Sequence, residues 1–113
     1  MKRNIILFIE DIMENLKLIE DSTKNLDKAK FKLNRLIIDA TARRLEIIGE
    51  VAKNVPNKFR EKYPKVPWKR ISGLRDILTH AYFNVKIDRI WEVIKRDLPK
   101  LKREIKKILE NEK

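Results

Sequence analysis

The chain contains no cysteine, no glutamine and a single histidine, His80. Without cysteine there is no disulfide framework, no thiolate nucleophile and no Cys-ligated metal. One histidine also argues against a His-based zinc site. We therefore expect no metal and no cofactor, although a magnesium ion bound by carboxylates alone stays compatible with this composition.

Glycine and proline are scarce as well, with two and four copies in 113 residues. That leaves little material for the turns of a β-rich protein, whereas an apolar fraction of 42% is sufficient for one modest core. We predict one all-α domain that covers residues 1–113.

Long apolar runs are missing. The N-terminal run extends only from Ile5 to Ile9 and is followed by two acidic residues, so it is too short for a signal peptide. No stretch approaches the roughly 20 apolar residues of a membrane span. We expect a soluble, cytoplasmic protein that makes no membrane contact.

What the chain does have is helical periodicity. Apolar residues recur at spacings of three and four between Ile5 and Ile19, which predicts a helix over residues 4–22. Asp27 is a suitable N-cap for a second helix, which should run over residues 28–55. Pro56 ends that helix and opens an extended connection over residues 56–67.

The second half of the chain continues this pattern. A third helix should begin near Trp68 and break over residues 84–86, and a fourth should start at Ile87. Asp97 and Pro99 indicate a kink or restart before a last amphipathic segment. The predicted architecture is an up-and-down bundle of four helices with a short C-terminal helix.

The second predicted helix carries two apolar stripes. One comprises Leu33, Ile37, Ala40, Ile47 and Val51, and the other comprises Ile38, Leu45, Ile48, Ala52 and Val55. One stripe is sufficient for a bundle core. The second stripe is typical of a helix buried against a second subunit, and also of a central helix within a monomer.

The formal net charge of +11 favours a polyanionic partner. Residues 53–70 hold seven basic residues against one acid, a local net charge of +6. These candidate RNA-binding residues are Lys53, Lys58, Arg60, Lys62, Lys65, Lys69 and Arg70. The alternative is a surface rich in ion pairs, selected for solubility or heat resistance, since 40% of the residues are charged.

The basic segment leads into the octet RDILTHAY, residues 75–82. At about 100° per residue, Arg75 and His80 lie about 140° apart around an ideal helix, so one helix does not present both on the same face. Asp76 is only about 40° from His80 and can orient the imidazole. Position alone favours a simpler role, because a histidine near a helix C-terminus interacts well with the helix dipole.

Two glycines and two tryptophans lie close to these segments. Gly49 and Gly73 are interpreted as points of close helix contact, because neither belongs to a glycine-rich loop. Trp68 and Trp91 are predicted to be core residues, with base stacking as the alternative.

The arrangement of Arg75, His80 and Tyr82 resembles the signature of HepT toxins in the HEPN superfamily. The stretches IIGEVAKNVP at residues 47–56, PKVPWKRISGLRD at residues 64–76 and IWEVIKRDLPKL at residues 90–101 also match that family in order and spacing. The resemblance covers most of the chain. Asp76 stands where the family often has asparagine.

This resemblance implies a dimeric, metal-independent ribonuclease toxin that acts beside a partner nucleotidyltransferase, MntA. It assigns RNA cleavage to Arg75 and His80, with Asp76 in support, and makes Tyr82 the acceptor of AMP from an MntA-like antitoxin. Two octets around one cleft would supply two histidines. The alternatives are a non-catalytic helical adaptor for the nucleotidyltransferase and a basic RNA-binding module.

Overall fold

The computed structural model describes residues 2–80 and 87–113. Within these ranges the side chains of all residues are described except those of Lys2, Asp76, Ile77, Thr79 and His80. The described part of the chain is built of helices and contains no strand, so the all-α prediction is confirmed. None of its helices combines the length and the apolar character that crossing a bilayer requires.

The first helix, α1, spans Lys2–Thr23 and confirms the helix predicted from apolar spacing. Its inward positions recur at three and four residues, and each is at most 2% exposed: Ile9, Ile12, Leu16 and Ile19. Asp27 then caps the next helix as predicted, because its carboxylate accepts a hydrogen bond from the backbone N–H of Lys30 at 2.8 Å.

The predicted helix over residues 28–55 is wrong as a single element. It is divided into α2, Lys28–Leu33, and α3, Arg35–Lys53, by Asn34. The backbone of Asn34 leaves the helical region, with φ −107° and ψ 89°. Its N–H bonds the carbonyl of Phe31 to close α2, while its side chain accepts from the N–H of Ile37 at 3.1 Å to open α3. One polar residue therefore ends one helix and starts the next.

The connection predicted to be extended over residues 56–67 contains a further helix, α4, at Asn57–Lys62. Pro56 precedes it with an extended backbone, a conformation that suits a helix start. Phe59 anchors the helix in the core at 9% exposure. The prediction of an extended connection is therefore wrong for half of this segment.

The remaining helices are α5 at Trp68–His80, α6 at Ile87–Glu92 and α7 at Leu98–Glu112. A π-helical turn at Val93–Asp97 joins α6 directly to α7, so the fourth helix and the C-terminal helix are continuous.

The kink or restart predicted at Asp97 and Pro99 takes the form of this π-helical turn, and the helix does not restart. Pro99 has no N–H, and its ring would clash with the carbonyl four residues earlier in a regular helix. The N–H of Leu98 bonds the carbonyl of Val93, five residues back, which widens the turn before the proline.

The helices pack as a bundle in which α1 lies against α3 and α7, and α3 lies against α5. One stripe of α3 faces the core: Ile38, Leu45, Ile48 and Ala52, followed by Val55 beyond the helix end, are each at most 4% exposed. The other stripe is different. Leu33, which ends α2, is 87% exposed; within α3, Ala40 is exposed and Ile37, Ile47 and Val51 are half-buried.

Candidate functional site

The helix that carries the octet is fixed firmly at its start. The indole Nε1 of Trp68 donates to the carbonyl of Tyr63 at 3.0 Å, and the Trp68 ring is only 7% exposed, which confirms its core role. The N–H of Ile71 bonds the carbonyl of Pro67 at 3.0 Å. These contacts set the position of α5 one turn before Arg75.

Arg75 lies where α5 packs closely against α3. A Cβ placed on Gly49 of α3 would stand 3.0 Å from the carbonyl oxygen of Ile71 and 3.1 Å from both the N and the Cβ of Arg75. No ordinary side chain fits at that distance without a shift of the neighbouring atoms. The interpretation of Gly49 as a point of close helix contact is confirmed, and the contact is with the base of Arg75 itself.

Gly73 is different, and its interpretation as a close contact is wrong. Apart from its chain neighbours and the backbone of its own helix, a Cβ built at Gly73 has no described atom within 4 Å. Sequence alone could not separate the two glycines, because both lie inside helices and only the tertiary neighbours differ.

The rest of the octet is only partly described. The backbone of α5 continues in helical form to His80, so Asp76 and His80 keep the one-turn spacing that the sequence predicted. The side chains of Asp76 and His80, and the whole of Tyr82, lie outside the described residues. So does the break predicted over residues 84–86. Their assigned roles stay predictions.

The predicted RNA-binding residues fall into two groups. Lys53, Lys58, Lys65 and Lys69 are exposed. Arg60, Lys62 and Arg70 instead bond protein groups, and in Arg70 the bond joins Nη2 to Asp97 Oδ2 at 3.2 Å. Because Arg70 and Asp97 are only partly covered, this pair contributes little stability and leaves the arginine open to a phosphate.

Arg60 is the most fully engaged of these basic residues. Its Nη2 donates to the carbonyl of Ala52 at 2.7 Å and to that of Lys53 at 2.9 Å, and its Nε donates to the carbonyl of Val55 at 2.9 Å. These carbonyls lie at the end of α3, where no further N–H of the helix is available to bond them. The guanidinium of Arg60 therefore caps α3, a role that the sequence analysis missed.

Lys62 is tied to the C-terminus of α7. Its Nζ donates to Glu112 Oε2 at 2.8 Å, and the hydroxyl of Tyr63 donates to the same oxygen. Asn111 completes the group, since its Nδ2 donates to the Tyr63 hydroxyl oxygen at 2.7 Å. The Glu112 side chain is 3% exposed, which makes it a buried acid with several donors. We call Lys62, Tyr63, Asn111 and Glu112 the terminal clamp.

The terminal clamp changes the titration of two of its members. The hydrogen bond to Glu112 raises the pKa of Lys62 above its usual 10.5. Burial raises the pKa of Tyr63 above its usual 10.0, and the hydrogen bond to Glu112 acts in the same direction. Both groups therefore hold their protons more firmly in the folded chain than in the unfolded one.

Trp91 lies at the other end of the bundle and is partly buried. Its ring centroid is 5.1 Å from that of Phe31, and the Lys95 ammonium lies 4.7 Å from the Trp91 ring centroid. These contacts support the packing role predicted for Trp91, with a cation–π contact added on its outer side.

Comparison with known proteins assigns the chain to a family. The family model described as "Ribonuclease HepT-like" matches residues 12–108, which include α5 and the entire octet. No solved structure matches the chain.

Named relatives agree with that match. A "Gamma-glutamylcyclotransferase and putative RNase" of Methanocaldococcus jannaschii is 46% identical over 97% of this chain, which spans 50% of that relative's length. A "Putative RNase" of the same organism is 43% identical over 92% of this chain and 95% of its own length. A "Probable ribonuclease HepT" of Thermococcus cleftensis is 40% identical over 96% of this chain and 98% of its own. The resemblance noted from the octet is thus confirmed, and the chain belongs to the ribonuclease HepT-like family of the HEPN superfamily.

Proposed function

We propose that this HEPN-type endoribonuclease is the toxin of a toxin–antitoxin pair and that it cleaves RNA without a metal ion, through Arg75 and His80. The observation that carries the proposal is the placement of Arg75. It stands on a helix that runs on to His80 and is packed directly against α3, within the residues that match the family. Rigid helical support of this kind favours a precise catalytic geometry.

The proposed chemistry requires few groups. The 2'-oxygen of RNA attacks the adjacent phosphorus, the bond from phosphorus to the 5'-oxygen breaks, and a 2',3'-cyclic phosphate and a 5'-hydroxyl are formed. Imidazole is the side chain best suited to take up and release a proton near neutral pH, so His80 can accept the proton of the 2'-hydroxyl and return one to the 5'-oxygen. Arg75 can offer two parallel N–H donors to the phosphorane, where negative charge accumulates.

A dimer supports this chemistry better than one chain does. Arg75 and His80 stand about 140° apart around an ideal helix, so a single α5 directs them to different sides. Two copies of α5 that face each other across a two-fold axis would bring an arginine and a histidine from both subunits to one cleft. We therefore propose a homodimer with composite sites.

The end of α2 and the outer side of α3 offer an apolar face for a dimer. Leu33 and Leu36 are 87% and 83% exposed, and the stripe continues through exposed Ala40 to half-buried Ile47 and Val51. Leu33 and Leu36 line one shallow depression of the surface, and exposed apolar groups of this kind are typical of an interface.

RNA binding is proposed for the exposed lysines before α5 and in its first turn. Lys53, Lys58, Lys65 and Lys69 are exposed, and all lie within the segment of high positive charge. Arg70 has a weak surface partner, whereas Arg60 and Lys62 are held by α3 and the terminal clamp. We therefore expect the lysines and Arg70 to carry most of the contact with phosphate.

The regulatory part of the proposal concerns Tyr82. In HepT toxins the matching tyrosine receives AMP from the MntA antitoxin, and Tyr82 occupies that position two residues after His80. We propose the same modification here, with an MntA-like nucleotidyltransferase as the partner. The added phosphate would bring negative charge to a site that needs to attract RNA.

The proposal is tested by cleavage of RNA by the purified protein in the presence of EDTA. Wild type should cleave, whereas His80→Ala and Arg75→Ala should each lose at least 100-fold in rate, on the order expected for loss of acid–base or electrostatic catalysis. Arg103→Ala, an exposed change on α7, is the matched control and should retain the wild-type rate.

Undiminished cleavage by His80→Ala would refute the assigned chemistry. Cleavage that disappears with EDTA and returns with magnesium would refute the metal-independent mechanism. A wild-type protein that binds a nucleotidyltransferase but cleaves no RNA would establish the adaptor as its function.

A further inference from the structure

We infer that Gly49 is a positioning residue for Arg75: its missing side chain lets the turn from Ile71 to Arg75 sit directly on α3, which fixes where the guanidinium begins. The inference rests on the proposed role of Arg75 in cleavage. Gly49 itself does not touch the substrate in this scheme and acts only through the arginine.

The contact is specific to one turn of α5. The carbonyl of Ile71 and the N–H of Arg75 are four residues apart, the spacing that one α-helical hydrogen bond spans. A Cβ on Gly49 would meet both of these backbone groups, at 3.0 Å and 3.1 Å, and also the Arg75 Cβ at 3.1 Å. Every nearest neighbour of that absent methyl group thus belongs to the turn from which the Arg75 side chain departs.

The atoms in contact determine how the helix would respond. A flexible side-chain end could swing away from an added methyl group, but backbone atoms and a Cβ move only if the helix moves. Gly49→Ala should therefore push this turn of α5 outward by a few tenths of an ångström. A long side chain then carries the displacement and tilt to its guanidinium end.

Neither helix propensity nor backbone conformation explains the glycine at position 49. Glycine is a poorer helix former than alanine, and Gly49 lies inside the nineteen-residue helix α3. Its backbone does not require glycine, because no glycine in the described residues has a positive φ. What requires glycine at position 49 is the closeness of α5.

The chain supplies a matched control in Gly73. This glycine lies on α5 itself, two residues before Arg75, yet apart from its chain neighbours and the backbone of its own helix a Cβ there would meet no described atom within 4 Å. Gly73→Ala makes the same chemical change inside a helix without pressing on a neighbour. It should preserve or increase the melting temperature, which separates the effect of the crowded contact at Gly49 from that of an alanine inside a helix.

The first experiment compares steady-state cleavage of a defined RNA by Gly49→Ala, Gly73→Ala and wild type, well below their melting temperatures. Gly49→Ala should lower kcat roughly 10- to 100-fold, in line with the cost of small misplacements of catalytic groups. Its KM should change by less than about 3-fold, because the exposed lysines that bind RNA are unaltered. Equal kcat in Gly49→Ala and wild type would overturn the inference.

Two further measurements separate positioning from general loss of stability. Ile105→Val removes one methyl group from a fully buried site on α7 and should lower the melting temperature without loss of kcat. Gly49→Ala combined with Arg75→Ala should be no slower than Arg75→Ala alone, because the residue through which Gly49 acts is already gone. Additive losses in the double variant would show that Gly49 acts through some other group.

Failure of the inference and failure of the proposed function give different results. If Arg75→Ala retains full activity, the proposed role of Arg75 is wrong and Gly49 has nothing to position. If Arg75→Ala is inactive but Gly49→Ala is fully active, only the inference is wrong. Should Gly49→Ala alone fail to fold, the same measurements are made in the Gly73→Ala background, with Gly73→Ala as the reference.

Discussion

Nη2 of Arg60 lies 2.7 Å from the carbonyl oxygen of Ala52, across the boundary between α4 and the end of α3. The same guanidinium reaches two more carbonyls, those of Lys53 and Val55. Arg60, which the sequence analysis assigned to RNA binding, thus caps the end of α3. Positive charges in the basic segment therefore serve either helix capping or the proposed RNA binding. Substitutions at Arg60 and at Lys58 should separate the two.

Arg60→Ala should destabilise the fold by about 1–3 kcal/mol, because it leaves several helix-end carbonyls without their charged donor. Arg60→Lys should also destabilise the fold, since a lysine keeps the charge but not the planar fork of donors. Urea unfolding of both variants against wild type measures the loss. Stability equal to wild type in both variants would show that the cap contributes nothing.

Lys58→Ala is the complementary change on the exposed part of the same segment. It should alter stability by less than about 0.5 kcal/mol, as is usual for an exposed surface position. If Lys58 contacts a phosphate, the variant should bind RNA more weakly and reduce the salt dependence of binding by about one unit of slope. An unchanged slope would remove Lys58 from the proposed RNA surface.

The terminal clamp predicts sensitivity to alkaline pH. Because the pKa values of Lys62 and Tyr63 are raised on folding, the unfolded chain loses these protons first. The stability they contribute is therefore complete below about pH 10 and is lost as pH rises through the folded-state pKa values. Tyr63→Phe should be less stable than wild type at pH 8.

The pH dependence of that difference provides the check. Unfolding by urea at pH 8, 9, 10 and 11 should show the gap between wild type and Tyr63→Phe shrinking above pH 10. Ionisable groups away from the terminal clamp are the same in both proteins, so their effects cancel in the difference. A gap that stays constant to pH 11 would contradict the assigned role of the Tyr63 hydroxyl.

Whether a feature can be predicted from the sequence depends on how far apart along the chain the interacting residues lie. Helix α1, the Asp27 cap, the start of α5 and the irregularity before Pro99 are set by residues within one or two turns, and periodicity predicted them. The break at Asn34 was missed because apolar spacing continues through it. Its signal was the asparagine itself, a residue that favours caps over helix interiors.

The candidate site was less accessible to such reasoning. The family signature pointed to α5, but the difference between Gly49 and Gly73 depends on which of them faces another helix. The terminal clamp joins residues 48 to 50 positions apart, and no local pattern marks Glu112 as buried. Contacts between residues so far apart depend on how the helices pack, and they produce no periodic pattern in the sequence.

The proposed dimer can be tested on the exposed stripe of α3. Ala40 lies in the middle of that stripe and is exposed, so Ala40→Glu should leave the single chain folded. A charge buried in an apolar interface is costly, and we expect dimer affinity to fall by at least about 10-fold. The native mass by light scattering should shift toward the monomer, and cleavage should fall with it.

Leu18→Glu is the matched control for Ala40→Glu. Leu18 is also an exposed apolar residue, at 39%, but it lies on α1 and outside the stripe. Its native mass and cleavage rate should equal those of wild type. Dimer loss in Leu18→Glu but not in Ala40→Glu would move the interface from α3 to α1.

The last prediction concerns the proposed neutralisation through Tyr82. Transfer of AMP joins the tyrosine oxygen to the α-phosphorus of ATP, breaks the bond to the β-phosphate and releases pyrophosphate, while the hydroxyl loses its proton. Tyr82→Phe keeps the ring and removes the acceptor oxygen. We expect a folded protein that cleaves RNA at the wild-type rate and escapes neutralisation by the nucleotidyltransferase and ATP.

Intact mass measured after incubation with the nucleotidyltransferase and ATP provides the readout. Wild type should gain the mass of AMP and lose cleavage activity together, because the added phosphate repels RNA and offers Arg75 a competing anion. Tyr63→Phe controls for the loss of a tyrosine hydroxyl elsewhere and should still be modified and neutralised. If wild type is neutralised equally well without ATP, the partner acts by binding alone, and Tyr82 is not the point at which the toxin is controlled.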